Sequence, residues 1–451
     1  MPDNVELPSG SGGATIHTDE LTGSIHVQRT KVGYGEDGEY RDVEYNHPLP
    51  VGNPDAFDRL RVSMPYTEFE SKLLAADKQT LLWDEAEESG SGTAGTTPTT
   101  NLPQVDLSTT LGTAGTRTRQ TKRRFGYQSG KSQLIMMTGV MDLLGGGTDI
   151  IRRMGYFDDD NGIFLEDDQG TLKFVVRSKT SGGVVDTKVA QSAWSYDTFD
   201  GNGPSGITMD WTKYIILVMD FQWLGGGRIR FGFEIDGIFY LAHEAGNSTN
   251  SSALPYMSTP NLPLRYQIVS QGAGGAASSM RAICAVVMSE GGSNQLGVNQ
   301  SHSTGSTHVD CNTADQTYAI CGIRLKADQL GAQVEPKSIS ALVETADAFV
   351  WHLCYNPTVA SHMSFAGITD SACEGAVANT NNPTLSTVSN LGHIVAQGHI
   401  QRSGSADTGN LTGMEKLGAK IDGTRDELWL CVTPMSANAD IVGSINWIEE
   451  F

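Results

Sequence analysis

Three aspartates followed by asparagine and glycine, Asp158-Asp159-Asp160-Asn161-Gly162, are the first residues here whose types suggest chemistry. Clustered carboxylates suit a hard cation such as calcium, which takes oxygen ligands. An EF-hand loop, however, needs acids at alternate positions, glycine at the sixth and glutamate at the twelfth. Counted from Asp158, glycine falls at the fifth. A solvated turn between Tyr156-Phe157 and Ile163-Phe164 accounts for the same residues and is the expectation.

Other chemistry is weaker still. The closer histidine pairs, His17/His26, His302/His308 and His393/His399, lack the H-E-x-x-H and H-x-H spacings of metal sites. No Gly-x-Ser-x-Gly elbow and no phosphate-binding Walker loop occurs. Gly145-Gly146-Gly147 and Gly225-Gly226-Gly227 sit between apolar stretches and read as turns. With 52 acids in the chain, any carboxylate pair can be nominated for glycoside hydrolysis, so the pairing carries no information. These residues predict no enzyme, no cofactor and no metal site.

One basic run stands out: Arg117-Thr118-Arg119-Gln120-Thr121-Lys122-Arg123-Arg124-Phe125. Positive charge on a strand edge blunts unwanted pairing. It can equally dock an acidic neighbour, including a second copy of this chain. Both readings of Arg117, Arg119, Arg123 and Arg124 stay open. Trp194, Tyr196, Trp211 and Trp223 can stack on sugars if exposed. Trp211 and Trp223 flank an apolar strand, so core filling is the expectation. Cys284, Cys311, Cys321, Cys354, Cys373 and Cys431 form no C-x-x-C pair, and several lie in apolar runs, as buried thiols from a reducing cytoplasm do.

The formal net charge is −21, from 52 acids and 31 bases, so phosphate backbones are repelled and no nucleic-acid partner is expected. No apolar run reaches the roughly 18 residues that span a bilayer, and the polar start, Met1-Pro2-Asp3-Asn4, predicts neither a membrane segment nor a secretory signal.

The elements that position these residues are mostly strands. The length of 451 residues suggests two or three domains, and 52 glycines with abundant Ser, Thr and Asn favour short strands and tight turns. Residues 1–75 read as an extended arm. In it, Ser24–Val32 and Asp42–Tyr45 make a probable hairpin around Gly35–Gly38, and Pro48 and Pro50 hold an extended path. Residues 76–104 are expected to hold a short helix, centred on Glu68–Glu88 with Leu73, Leu74, Leu81 and Leu82 as its stripe. A Gly/Ser/Thr-rich loop at Ser89–Thr100 then follows. Strand signals are dense over 105–291. Tyr214–Phe221 reads as a strand buried on both faces, and Arg228–Ile235 turns through Asp236-Gly237 into Ile238–His243. Residues 292–316 read as a linker, and 317–451 as a second β domain. The fold class expected is all-β: an extended N-terminal arm followed by two β-sandwich, jelly-roll-like domains.

Short blocks spread over most of the chain resemble structural proteins of tailed bacteriophages, especially marine and cyanobacterial ones. They are His26–Val32, Gly35–Gly38, Pro48–Val51, Ala56–Ser63, Arg153–Asp158, Asp220–Gly225, Pro260–Tyr266, Tyr355–Thr358 and Asn446–Glu449. The resemblance implies a non-enzymatic virion protein made in the host bacterial cytoplasm. It would sit on the particle exterior, as a head-decoration subunit or a tail, collar or fibre-base component. Its partners would be copies of itself, as in a trimer, and other virion proteins. Val27, Arg29, Phe57, Arg59, Leu60 and Arg61 of the arm, with Arg117, Arg119, Arg123 and Arg124, are the expected assembly contacts. The rival expectation is a receptor-recognition protein that binds host surface glycan.

Overall fold

The computed structural model describes short strands between residues 4 and 42. It then describes residues 65–451 apart from 75–76, 99–100, 111, 142–147, 247–252, 273–277, 295, 346–347, 361–362, 379–385, 401–404, 408–410, 412–414 and 438. The chain divides into two compact units, Met1–Ser63 and Met64–Phe451. In the first, β1 (Asn4–Glu6), β2 (Thr15–Leu21) and β3 (Ile25–Gln28) form an antiparallel sheet, and β4 (Gly33–Tyr34) pairs with β5 (Arg41–Asp42). The described part of the strand expected over Ser24–Val32, Ile25–Gln28, therefore pairs with upstream residues, while Asp42 pairs with Gly33.

The second unit is all-β and holds two sandwiches. One sheet of the first runs β15 (Val185–Ala190), β14 (Thr171–Ser178), β13 (Gly162–Asp168), β12 (Ile150–Phe157), β19 (Leu264–Ser270), β10 (Gly115–Thr121) and β7 (Trp83–Gly90). The facing sheet runs β18 (Ile238–Ala245), β17 (Ile229–Ile235), β16 (Ile215–Phe221), β11 (Ser132–Val140), β20 (Ser279–Glu290), β9 (Val105–Thr109) and β8 (Thr93–Pro98). On the twelve-residue β20, β9 and β6 (Pro65–Lys72) pair with successive stretches. Aromatic rings knit the two sheets: Phe174 of β14 stacks 4.5 Å from Phe231 of β17, and Tyr156 of β12 lies 5.6 Å from Phe221 of β16. The Asp236-Gly237 hairpin has φ of 53° and 82°, the two positive angles a type I′ turn requires.

The second sandwich packs β21 (Val298–Ser303), β33 (Ala439–Glu450), β24 (Gln333–Val343) and β31 (Ser405–Asp407) against β27 (Ala366–Gly367), β28 (Cys373–Val377), β23 (Tyr318–Leu325), β32 (Glu427–Pro434), β25 (Phe349–Tyr355) and β30 (His393–Ile400). The short β22 (Val309–Cys311) also pairs with β33, and β26 (Thr358–Val359) pairs with β29 (Val388–Asn390). Burial alternates strictly along β33, so Ile441, Ile445 and Trp447 fill the core, as a half-buried strand dictates. All six cysteines are free thiols, and all but Cys284 are buried; burial pushes the Cys321 thiol up to about 12.

Four expectations need correction. Among the described residues of 68–88 no helix forms: β6 and β7 occupy its ends, with a turn near Gln79. Phe69, Ser71 and Leu73 are buried at alternate positions, a strand period, so pairing with β20 and β10 overrides a weak leucine stripe. The Gly/Ser/Thr stretch is likewise a strand, β8, paired with β9. The linker at 292–316 contains β21 and β22, both laid on β33. The arm boundary also moves, because β6 belongs to the first sandwich and not to residues 1–75 as an arm.

Candidate functional site

The Asp158–Gly162 segment is a tight turn. Asp158 N–H donates to the Asn161 carbonyl at 2.9 Å, and Asp158 Oδ1 accepts from the N–H groups of Asp160 and Asn161. Each aspartate has its own cation: Asp158 meets Arg124, Asp159 meets Arg265 at 2.5 Å and Asp160 meets Lys179 at 2.7 Å. Burial opposes the Asp158 charge, but the Arg124 guanidinium and the two turn N–H groups outweigh it and hold this carboxyl below its usual range. The turn is thus neutralised from within.

Much of the basic run is engaged within this chain. Arg119, on β10, is buried over the Trp83 ring, bound to the Glu85 carboxylate and the Lys78 carbonyl. Arg117 faces Glu87 at 3.9 Å, and Arg124 meets Asp158. Past the end of β10 the run becomes a seam with this chain's own second sandwich. The Lys122 carbonyl accepts from Ala419 N–H at 2.9 Å, and the Arg124 carbonyl accepts from Gln333 Nε2 at 2.7 Å. Ile421 N–H donates to Asp84 Oδ2 at 3.0 Å, and Asn261 Nδ2 donates to the Gly331 carbonyl at 3.0 Å. Gly418 permits this approach: a Cβ there would lie 2.6 Å from the Lys122 carbonyl oxygen.

At this seam the sandwiches leave a cavity of about 450 Å3. The first sandwich contributes Leu81, Leu82, Lys122 and Arg123, while Tyr355, Asn356, His393, Ile394, Val395, Glu415, Lys416 and Asp426 line the other side. The buried Tyr355 hydroxyl donates to the Glu415 carbonyl, and Asn356 Nδ2 donates to Asp426 Oδ1 at 2.8 Å. Burial raises the carboxyls of Glu415 and Glu68 against the pull of Arg123 and Lys416. Burial, with Arg123 as a like charge, lowers the Lys416 ammonium. Of these residues, Lys122 and Arg123 belong to the basic run, His393 to a histidine pair and Leu81 and Leu82 to the leucine stripe, and none of those patterns pointed to a cavity. The lining residues come from separate stretches of sequence, and no local pattern connects them.

Of the other expected contacts, Val27 lies on β3 opposite Asp19. Arg29, Phe57, Arg59, Leu60 and Arg61 lie outside the described residues. The aromatic residues weighed as sugar platforms are mostly core: Trp194 is buried against Phe174, and Trp211 and Trp223 pack on the first core. Tyr196 is exposed. Among the described residues, no helix is long and apolar enough to cross a membrane.

The comparisons leave the family open. No protein-family model matches this chain, and no curated protein matches it. Solved structures resemble it over about half its length. An endo-1,3-beta-glucanase from Streptomyces sioyaensis is 10% identical, with TM-score 0.35, over 50% of this chain and 96% of that one. The CBM2 module of the evolved Dit of Lactobacillus casei BL23 phage J-1 is 7% identical, with TM-score 0.34, over 51% and 99%. The Emp47p carbohydrate recognition domain is 12% identical, with TM-score 0.30, over 51% and 97%. Likeness at this level carries no argument about what this chain binds or does.

Proposed function

We propose that this chain is a non-enzymatic structural protein of a bacteriophage particle, carried on the exterior and placed there by its N-terminal unit. The observation that carries the reading is the division of labour along the chain. Residues 1–63 are a compact unit of short ladders, and the rest is a pair of sandwiches held together at a seam. A body whose ionic groups are largely spent on its own strands suits a part that is positioned and held. The resemblance of Ala56–Ser63, Asp220–Gly225 and Asn446–Glu449 to tailed-phage structural proteins supports the same reading. The glycan-binding rival draws less support, because all seven tryptophans are buried or half-buried.

Particles purified from infected cells test it. Antibody against the second sandwich is expected to decorate intact particles and to co-sediment with them. Protein that stays at the top of the gradient, with particles unlabelled, would contradict the proposal.

A further inference from the structure

The seam cavity has chemistry that placement on a particle does not use. Lys122, Arg123 and Lys416 all line it, in a chain that is otherwise strongly acidic. Among the described residues, none of the three has a carboxylate within ion-pair distance. Arg123 donates through Nη1 to the Glu68 carbonyl at 3.3 Å and lies 5.2 Å over the Phe125 ring, while its buried Nε has no hydrogen-bond partner. A buried donor without an acceptor costs about 1–3 kcal/mol, so a ligand that supplies one gains accordingly. The acids of the lining do not cancel the cations. Asp426 is engaged by Asn356, and the two lining acids, Glu415 and Asp426, face three cations.

The remaining wall decides the kind of anion. Leu81, Leu82, Ile394 and Val395 are apolar, and Leu81 and Ile394 stand exposed to the opening. An apolar wall beside a few convergent polar groups is the usual make-up of a small-molecule site, and about 450 Å3 lies within the usual range of such sites. The two acids in the lining disfavour a doubly charged phosphate over a single negative charge. We propose that the cavity binds a small organic carboxylate, with its charge on Lys416, Arg123 and Lys122 and its apolar body against Leu82 and Val395.

Calorimetric titration of the full chain with benzoate at low ionic strength tests this, and it depends on no assignment to a particle. Wild-type protein is expected to bind benzoate saturably, and inorganic phosphate at least about tenfold more weakly. Lys416→Gln removes one charge-assisted contact and is expected to weaken benzoate about tenfold. Lys420→Gln, whose side chain is exposed and outside the lining, is expected to bind as wild type. Lys122→Gln repeats the test from the opposite wall should Lys416→Gln fail to fold. The proposal is overturned if wild-type protein shows no saturable benzoate binding or if phosphate binds as tightly. It is also overturned if the folded cavity variants bind like Lys420→Gln.

Discussion

At Gly418 the second sandwich comes so close to the first that a methyl group would collide with the Lys122 carbonyl, 2.6 Å away. That oxygen is backbone and already accepts from Ala419, so it cannot swing aside cheaply. Gly418→Ala is therefore expected to cost about 1–3 kcal/mol, read as a lower midpoint in urea unfolding. The Arg152–Asp167 pair is a second point of leverage. Its Nη1–Oδ2 distance is 2.5 Å, and both side chains are almost wholly buried. Burial raises the Asp167 carboxyl even with Arg152 beside it. Arg152→Leu leaves that charge unpaired and is expected to cost about 3–5 kcal/mol near neutral pH. A carboxyl raised in the folded state binds its proton more readily there than in the unfolded chain. The loss should therefore shrink as pH falls through the raised pKa, as pH-dependent thermal unfolding would show.

Among the elements, the β10 run and the Asp158 turn meet through Arg124, which ties the seam to the first sandwich. Asp158 has a lowered pKa, so its contribution is present above the ordinary carboxylate range and is lost as pH falls through its depressed value. Asp158→Asn is expected to be less stable than wild type at neutral pH, with the difference narrowing in acid. The strands of the first sandwich were legible where apolar residues alternate or run on: of Tyr214–Phe221, Ile215–Phe221 forms a largely buried strand while Tyr214 is exposed, and Asp236-Gly237 turns as expected. Strands made of polar or glycine-rich residues were not legible. Val298–Ser303 and Thr93–Pro98 hold their places by ladder bonds to β33 and β9, which local composition does not encode. For the same reason Arg117–Arg124 drew notice as a charged run. The acids that meet Arg119, Arg117 and Arg124, namely Glu85, Glu87 and Asp158, come from β7 and from the turn after β12. The cavity was the least legible feature, because Tyr355, His393, Lys416 and Asp426 meet only once both sandwiches have folded.

Over the whole molecule, a net charge of −21 keeps free copies apart through mutual repulsion, which suits a protein that accumulates before it is placed. Arg117, Arg119 and Arg124 pair with acids of this same chain, so under the proposed function assembly would draw on other surfaces. The N-terminal unit would be the first of these, and the partly exposed edge strands of the first sandwich the second. Val185 lies on β15 and Ile238 and Phe239 on β18, at the ends of the two sheets, and all three are exposed. The most direct measurement counts copies per particle by quantitative mass spectrometry, when host cells supply either the full chain or residues 64–451 alone. The truncated chain is expected to stay soluble and β-rich by circular dichroism and to be absent from purified particles. Incorporation of the truncated chain at the full-length copy number would contradict placement by the N-terminal unit.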